Sequence, residues 1–168
     1  MDRVGIGYDV HRLAPNRRLV LAHVPIEFER GSLGHSDGDV VLHAVIDALL
    51  GAAGLPDIGE MFPDTDARFK DADSGRLLAE ARAAVRRAGY APVNVDVIVH
   101  AERPKLLPYK PRMRAELARL LDIEAVCVSV KAKTGEGVGP IGTGEAIACT
   151  AVAGLRRVTD VRDEERTG

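Results

Sequence analysis

The sequence predicts one α+β domain, an α/β sandwich in which a single mixed sheet of four to five strands carries helices on one face. Segments with strand-like alternation ("VNVDVIVHA", "AVCVSVKAK") interleave with segments of helical period ("VVLHAVIDALLGAAG", "GRLLAEARAAVRRAG", "PRMRAELARLLD"). No internal repeat or linker separates them. A length of 168 residues, 46% of them hydrophobic, is enough for one substantial core.

Taken in order, a strand is expected from Arg3 to Asp9, and "RRLVLAHVPIEF" reads as a strand or hairpin arm. The polar loop "GSLGHSDGD" ends in a helix cap at Ser36 or Asp37. The helix that follows stops at Gly54 and Pro56, and the next loop, "LPDIGEMFPDTDARFKDAD", has no period. Ser74 is expected to cap a second helix that Gly89 ends. A strand, a third helix and another strand follow, then the glycine-rich loop "TGEGVGPIGTGE". The segment "AIACTAVAGLRRV" reads equally as helix or strand. The domain is expected over residues 1–158, with 159–168 a flexible charged tail.

Composition excludes several classes. A net charge of −2, few aromatics and no Trp argue against nucleic acid as a partner. No apolar run approaches the roughly 20 residues that span a bilayer, and the N-terminus "MDRVGIGYDV" lacks a signal-peptide pattern. Cys127 and Cys149 sit alone in apolar surroundings and read as buried thiols. A cytoplasmic protein is expected.

The stretch "GYDVHRL" places Asp9 and His11 two residues apart, hence on one face of a strand. His43 lies in the first predicted helix with Asp47 one turn on. Two imidazoles and a carboxylate are a common divalent-metal set that leaves a position open, although spacing alone does not bring them together. The helix start near His35, Ser36, Asp37 and Asp39 offers amides that attract phosphate, or simply a capped turn. "FPDTD" and "RPKLLP" are turn formers that could also meet a ligand, Lys105 by neutralising a phosphate. The glycines around Glu136 match neither a P-loop nor a dinucleotide fingerprint. Together these features suggest a metal-dependent site for a phosphorylated molecule.

"GYDVHRL", "HSDGDVVLHAVIDALLGAAGLPDIGEMFPDTD", "RPKLLP" and "GEAIAC" resemble, in order and spacing, the 2-C-methyl-D-erythritol 2,4-cyclodiphosphate synthase family of the non-mevalonate isoprenoid pathway. The resemblance implies a homotrimer with sheets packed around a three-fold axis and active sites between neighbouring subunits. It implies cyclisation of a cytidine diphosphate-linked substrate with release of CMP. Asp9, His11 and His43 would ligate zinc, and Glu136 a second divalent ion, magnesium or manganese. His35 and Thr134 would stabilise the transition state, with Asp9, His11, Ser36 and Glu136 also touching substrate. Asp57, Ile58 and Gly59, with Phe62, Pro63, Asp64, Thr65 and Asp66, would hold the erythritol part. Ala101, Pro104, Lys105, Leu106, Leu107, Ala132 and Lys133 would form the cytidine pocket, contributed by the adjacent subunit. Asp47 would either support His43 or face the "DIG" turn.

Two departures from the family pattern stand out. "KTGE" replaces "T-T-x-E" but keeps Thr134 and Glu136. Pro140 and Thr143 replace a phenylalanine and an arginine that in the family line an axial cavity for isoprenoid diphosphates, which implies weak binding of such molecules here. The rival readings are a metal-dependent phosphoesterase and a non-catalytic zinc-stabilised trimeric binding module.

Overall fold

The protein's structure, a computed structural model, describes residues 1–34, 36–63, 65–66, 69 and 72–158. Strands β1 (Arg3–Pro15), β2 (Leu19–Leu21), β3 (Val24–Ile26) and β4 (Arg30–Ser32) come first. Helices α1 (Val40–Ala53), α2 (Ile58–Met61) and α3 (Ser74–Arg87) follow. Then come β5 (Tyr90–His100), α4 (Lys110–Leu121), a 3-10 turn (Ala125–Cys127), β6 (Val128–Lys133), α5 (Gly139–Gly142) and β7 (Ala146–Arg157).

Five strands form one mixed sheet in the order β4-β1-β7-β5-β6. The β5–β6 pair is parallel, and the pairs β4–β1, β1–β7 and β7–β5 are antiparallel. The expectation of a single sheet needs one correction, because β2 and β3 form a separate two-stranded ribbon. Its turn residues, Ala22 and His23, have φ of 53° and 61°, as a two-residue hairpin turn demands. Neither is a glycine, so the conformation needs outside support. The fully buried carboxylate of Asp39 supplies it by accepting the Ala22 and His23 amides at 2.9 and 2.6 Å.

The final segment is a strand. Its small apolar residues suit a central position, where β7 pairs with β1 on one side and β5 on the other. Ile147, Cys149, Ala151, Ala153 and Leu155 are fully buried along one face. Strand β1 runs past Asp9 to Pro15 because Asp9 to Arg12 continue the ladder with β7 and Leu13 to Pro15 pair with β4.

Helix α1 is buried almost all round, with Leu42, Ile46, Leu49 and Leu50 fully covered. Each such side chain stabilises the fold by about 1.5–3 kcal/mol relative to exposure. The helix lies against β1 through two glycines. A Cβ at Gly7 would fall 2.0 Å from the Ala44 carbonyl oxygen, and one at Gly5 would fall 2.1 Å from that of Ala48. Gly54, at φ 73°, ends α1 as expected.

The caps differ from expectation. Asp39, not Ser36 or Asp37, caps α1, accepting from the Val41 and Leu42 amides at 3.1 Å each. Asp73 caps α3, and Ser74 is the first helical residue. Short helices α2 and α5 occupy two loops expected to be irregular, and Ala125–Cys127 turn before β6 begins. Cys149 is buried as expected; Cys127, in that turn, is only half-buried, and both are free thiols.

Helices α1, α3 and α4 pack against β1 and β7, β5, and β6 respectively, so they cover one face. The other face leaves β1 bare. Ile6 is 70% exposed and Tyr8 58%, with Val4, Val10 and Val152 beside them. The expected tail, 159–168, lies outside the described residues.

Candidate metal centre

Alternation along β1 puts Asp9 and His11 on the same face as Gly5 and Gly7, the face α1 covers. His43 immediately precedes Ala44, whose carbonyl sits over Gly7, so the close strand–helix approach delivers the imidazole to the strand pair. Asp9 Oδ2 lies 2.9 Å from His11 Nε2 and 2.9 Å from His43 Nδ1, and those two nitrogens are 3.2 Å apart. Among the described residues this is the one group of three or more His, Cys, Asp or Glu with converging donor atoms, all within 4.8 Å of one another.

These separations fit a shared cation. Donors at about 2.1 Å from a tetrahedral zinc stand roughly 3.4 Å apart. All three residues are partly buried rather than sealed, which leaves an approach for a further ligand. Burial opposes ionisation of Asp9, but hydrogen bonds and charge from His11 and His43 outweigh it and hold the carboxyl well below the usual carboxylate range. Burial likewise opposes a charge on His43, and the Asp9 hydrogen bond and charge overcome it and raise its pKa.

Around His43 a second layer decides which nitrogen faces the triad. His43 Nε2 meets Ser36 Oγ and Ser74 Oγ, each at 3.0 Å. The Ser74 hydroxyl donates to Asp37, and the Ser74 amide donates to the same carboxylate at 3.1 Å. With its proton committed to Asp37, Ser74 Oγ accepts from His43 Nε2–H, which leaves Nδ1 as the nitrogen that faces Asp9 and His11 and would give its lone pair to a shared cation. Sequence reasoning missed this use of Ser74, having taken the residue for a helix cap. Asp47 has the other of its two expected roles: its carboxylate accepts from the Ile58 amide at 2.8 Å and holds the "DIG" turn.

The start of α1 is not free for a phosphate. The Val41 and Leu42 amides are taken by Asp39, whose pKa burial pushes up to about 6 against the hydrogen bonds it accepts. His35 and Asp64 lie outside the described residues. Asp57 caps α2, accepting from the Glu60 amide at 2.9 Å, with Gly59 exposed in the same turn. Phe62 is buried and meets Phe69 edge-to-face at 5.3 Å, while Pro63 and Asp66 are half-buried and Thr65 is exposed.

A second group of expected residues gathers elsewhere. Ala101, Pro104, Lys105, Leu106, Leu107, Ala132, Lys133 and Thr134 line one cavity of about 190 Å³. Glu102, within the expected segment, and Lys110, beyond it, join them, and Glu102 accepts from the Gly135 amide at 3.0 Å. The Thr134 hydroxyl donates to Glu136, which stands at φ 51° and does not join the triad. Val10, Ala148, His100 and Lys133 are successive register partners across the sheet. The cavity and the triad therefore share one end of the sheet, about 14 Å apart at three strand spacings. Pro140 and Thr143 lie at α5, where the Thr143 hydroxyl donates to the Gly139 carbonyl at 3.2 Å.

The α+β domain thus carries a candidate three-donor metal site at one end of its sheet and a separate cavity in the same row. The YgbB family model matches residues 2–156, and the chain belongs to that family. A 2-C-methyl-D-erythritol 2,4-cyclodiphosphate synthase of Aromatoleum aromaticum is 56% identical over 158 residues, 94% of this chain and 96% of its own. Among solved structures, the bifunctional IspDF of Campylobacter jejuni superposes with a TM-score of 0.89 at 44% identity, over 94% of this chain and 42% of that one. A 2C-methyl-D-erythritol-2,4-cyclodiphosphate synthase in a CDP-bound form superposes with a TM-score of 0.86 at 37% identity, over 92% of this chain and all (100%) of that one. Among the described residues no helix is long and apolar enough to cross a membrane.

Proposed function

We propose that this chain closes 4-diphosphocytidyl-2-C-methyl-D-erythritol 2-phosphate into 2-C-methyl-D-erythritol 2,4-cyclodiphosphate and releases CMP. The observation that carries the reading is the convergence of Asp9, His11 and His43 in a chain of this family. Those three residues would hold zinc, and Glu136 a second divalent ion, magnesium or manganese. When bound, such cations offset phosphate charge and polarise phosphorus–oxygen bonds.

The reaction asks the protein for positioning rather than covalent work. An oxygen of the 2-phosphate bonds to the β-phosphorus, the bond from that phosphorus to the bridging oxygen breaks, and CMP leaves with the electron pair. The Ser36 and Ser74 hydroxyls keep the His43 ring in one tautomer and one orientation. The turn at Asp57–Gly59, with Phe62, Pro63, Asp64, Thr65 and Asp66, would hold the erythritol part. The cavity lined by Ala101, Lys105, Leu106 and Ala132 takes the cytidine, with Lys133 near its phosphates. Thr134 and His35 stabilise charge on the transferring phosphoryl group.

A cytoplasmic homotrimer with active sites between neighbours completes the proposal. The bare apolar stripe of Val4, Ile6, Tyr8 and Val10 supports it, because a monomer would leave that surface in water. The domain is taken as residues 1–158. Incubation with the cytidine-linked substrate, with and without chelator, followed by phosphorus NMR, tests the reading. A cyclic diphosphate and CMP that vanish with chelator support it; a linear phosphate product contradicts it.

A further inference from the structure

At the opposite end of the sheet, a cavity of about 450 Å³ opens between α3, the end of α4, the start of β5 and the end of β7. Arg82 and Arg86 reach it from one stripe of α3, and Arg156 reaches it from β7. Arg156 is seven residues along β7 from Cys149, the register partner of Asp9, which puts this cavity about 24 Å from the candidate metal centre. Nothing in the cyclisation chemistry uses it.

Its electrostatics are unbalanced. Arg82 donates to the Leu120 carbonyl at 3.1 Å, but the side chains of Arg86 and Arg156 have no ion pair or hydrogen bond among the described residues. Among the described residues, Asp122 is the one acid on the wall. Two further guanidinium groups, of Arg3 and Arg157, lie 4.9 and 5.8 Å from the centre of the Tyr90 ring at the cavity's edge. In a chain of net charge −2, so many arginines converging on one concavity produce a local positive field. The remaining wall is apolar, from Tyr90, Pro92 and Leu121. A volume of this order suits a small molecule rather than a macromolecular surface.

We propose that this cavity is a second anion site, which takes a small molecule carrying a phosphate or diphosphate on an apolar body. Arg86 and Arg156 grip the phosphoryl oxygens as paired donors, the geometry in which arginine surpasses lysine. Arg82, tied to α4, contributes charge at the rear. The proposal stands independently of the cyclisation reading, since none of its residues belongs to that site.

Inorganic pyrophosphate is the probe, titrated into the full chain at constant ionic strength while backbone amide resonances are followed. Saturable shifts at Ala79, Ala83, Tyr90 and Arg156 are expected. The double variant R86A/R156A weakens them at least about tenfold, a cost in line with losing charge-assisted hydrogen bonds. The double variant R86K/R156K, which keeps the charge and guards against a folding artefact, falls between. Turnover without pyrophosphate is unchanged in both. Absence of saturable shifts at these amides, shifts confined to the surroundings of Asp9, His11 and His43, or equal affinity in R86A/R156A would overturn the proposal.

Discussion

The imidazole of His43 is held from behind by Ser74: Nε2 meets Oγ at 3.0 Å, while the Ser74 proton is committed to Asp37. This makes Ser74 a positioning residue for a candidate metal ligand that belongs to another helix. Ser74→Ala should therefore lower zinc affinity about 10–100-fold, the usual cost of losing an outer-shell partner. Competition against a chromogenic chelator measures it. Unchanged affinity in a folded Ser74→Ala protein would remove the role.

The strand–helix approach at Gly7 is equally specific. Gly7→Ala pushes a methyl to within 2.0 Å of the Ala44 carbonyl, backbone that has no room to give. Overpacking of this kind costs about 3 kcal/mol, and it displaces His43 along with the helix. Urea unfolding should show the loss, and zinc affinity should fall with it; an alanine variant of wild-type stability would contradict the packing described for α1.

His23 bridges two carboxylates, Glu116 through Nδ1 and Asp73 through Nε2, both at 3.0 Å. The Glu116 hydrogen bond, then that of Asp73, raises its pKa against the opposing effect of burial. Arg119 also bonds Glu116 and keeps that carboxylate charged, with its pKa lowered to about 2. Because the folded value is raised, the stabilisation is complete below the unfolded value of about 6.5 and is lost as pH rises through the folded one. The melting-temperature difference between wild type and His23→Gln should thus be largest at about pH 6 and shrink toward alkaline pH. A difference that grows with pH would reverse the sign of this account.

The bare stripe on β1 bears on assembly. Ile6→Lys places a charge in the middle of Val4, Tyr8 and Val10. If this stripe is the seam between subunits, the variant should sediment as a monomer while wild type sediments as a trimer. A variant that assembles normally would place the seam elsewhere.

Much of this site was legible from spacing. Two-residue periodicity was enough to aim Asp9 and His11 together, since a strand has only two faces, and His43 stood in the segment whose helical period was plainest. Other features depended on contacts that no local pattern encodes. Which of Ser36, Asp37 and Asp39 caps α1 turns on which carboxylate also meets the Ala22 and His23 amides from a distant ribbon. That ribbon was hard to see because its turn carries Ala-His where glycine or asparagine is usual. Strand β7 is so rich in small apolar residues that helix and strand periods coincide, and its central place in the sheet decided the matter. The role of Ser74 was hidden because the same hydroxyl serves as well in a cap as behind a histidine.

The convergence of Asp9, His11 and His43 on one cation is open to direct observation. Anomalous diffraction at the zinc edge, from crystals of the protein grown without chelator, tests it directly. One peak per chain is expected at about 2.0–2.2 Å from Asp9 Oδ2, His11 Nε2 and His43 Nδ1, absent in His43→Ala. A zinc-loaded protein whose peak lies elsewhere, or whose peak survives His43→Ala, would contradict it.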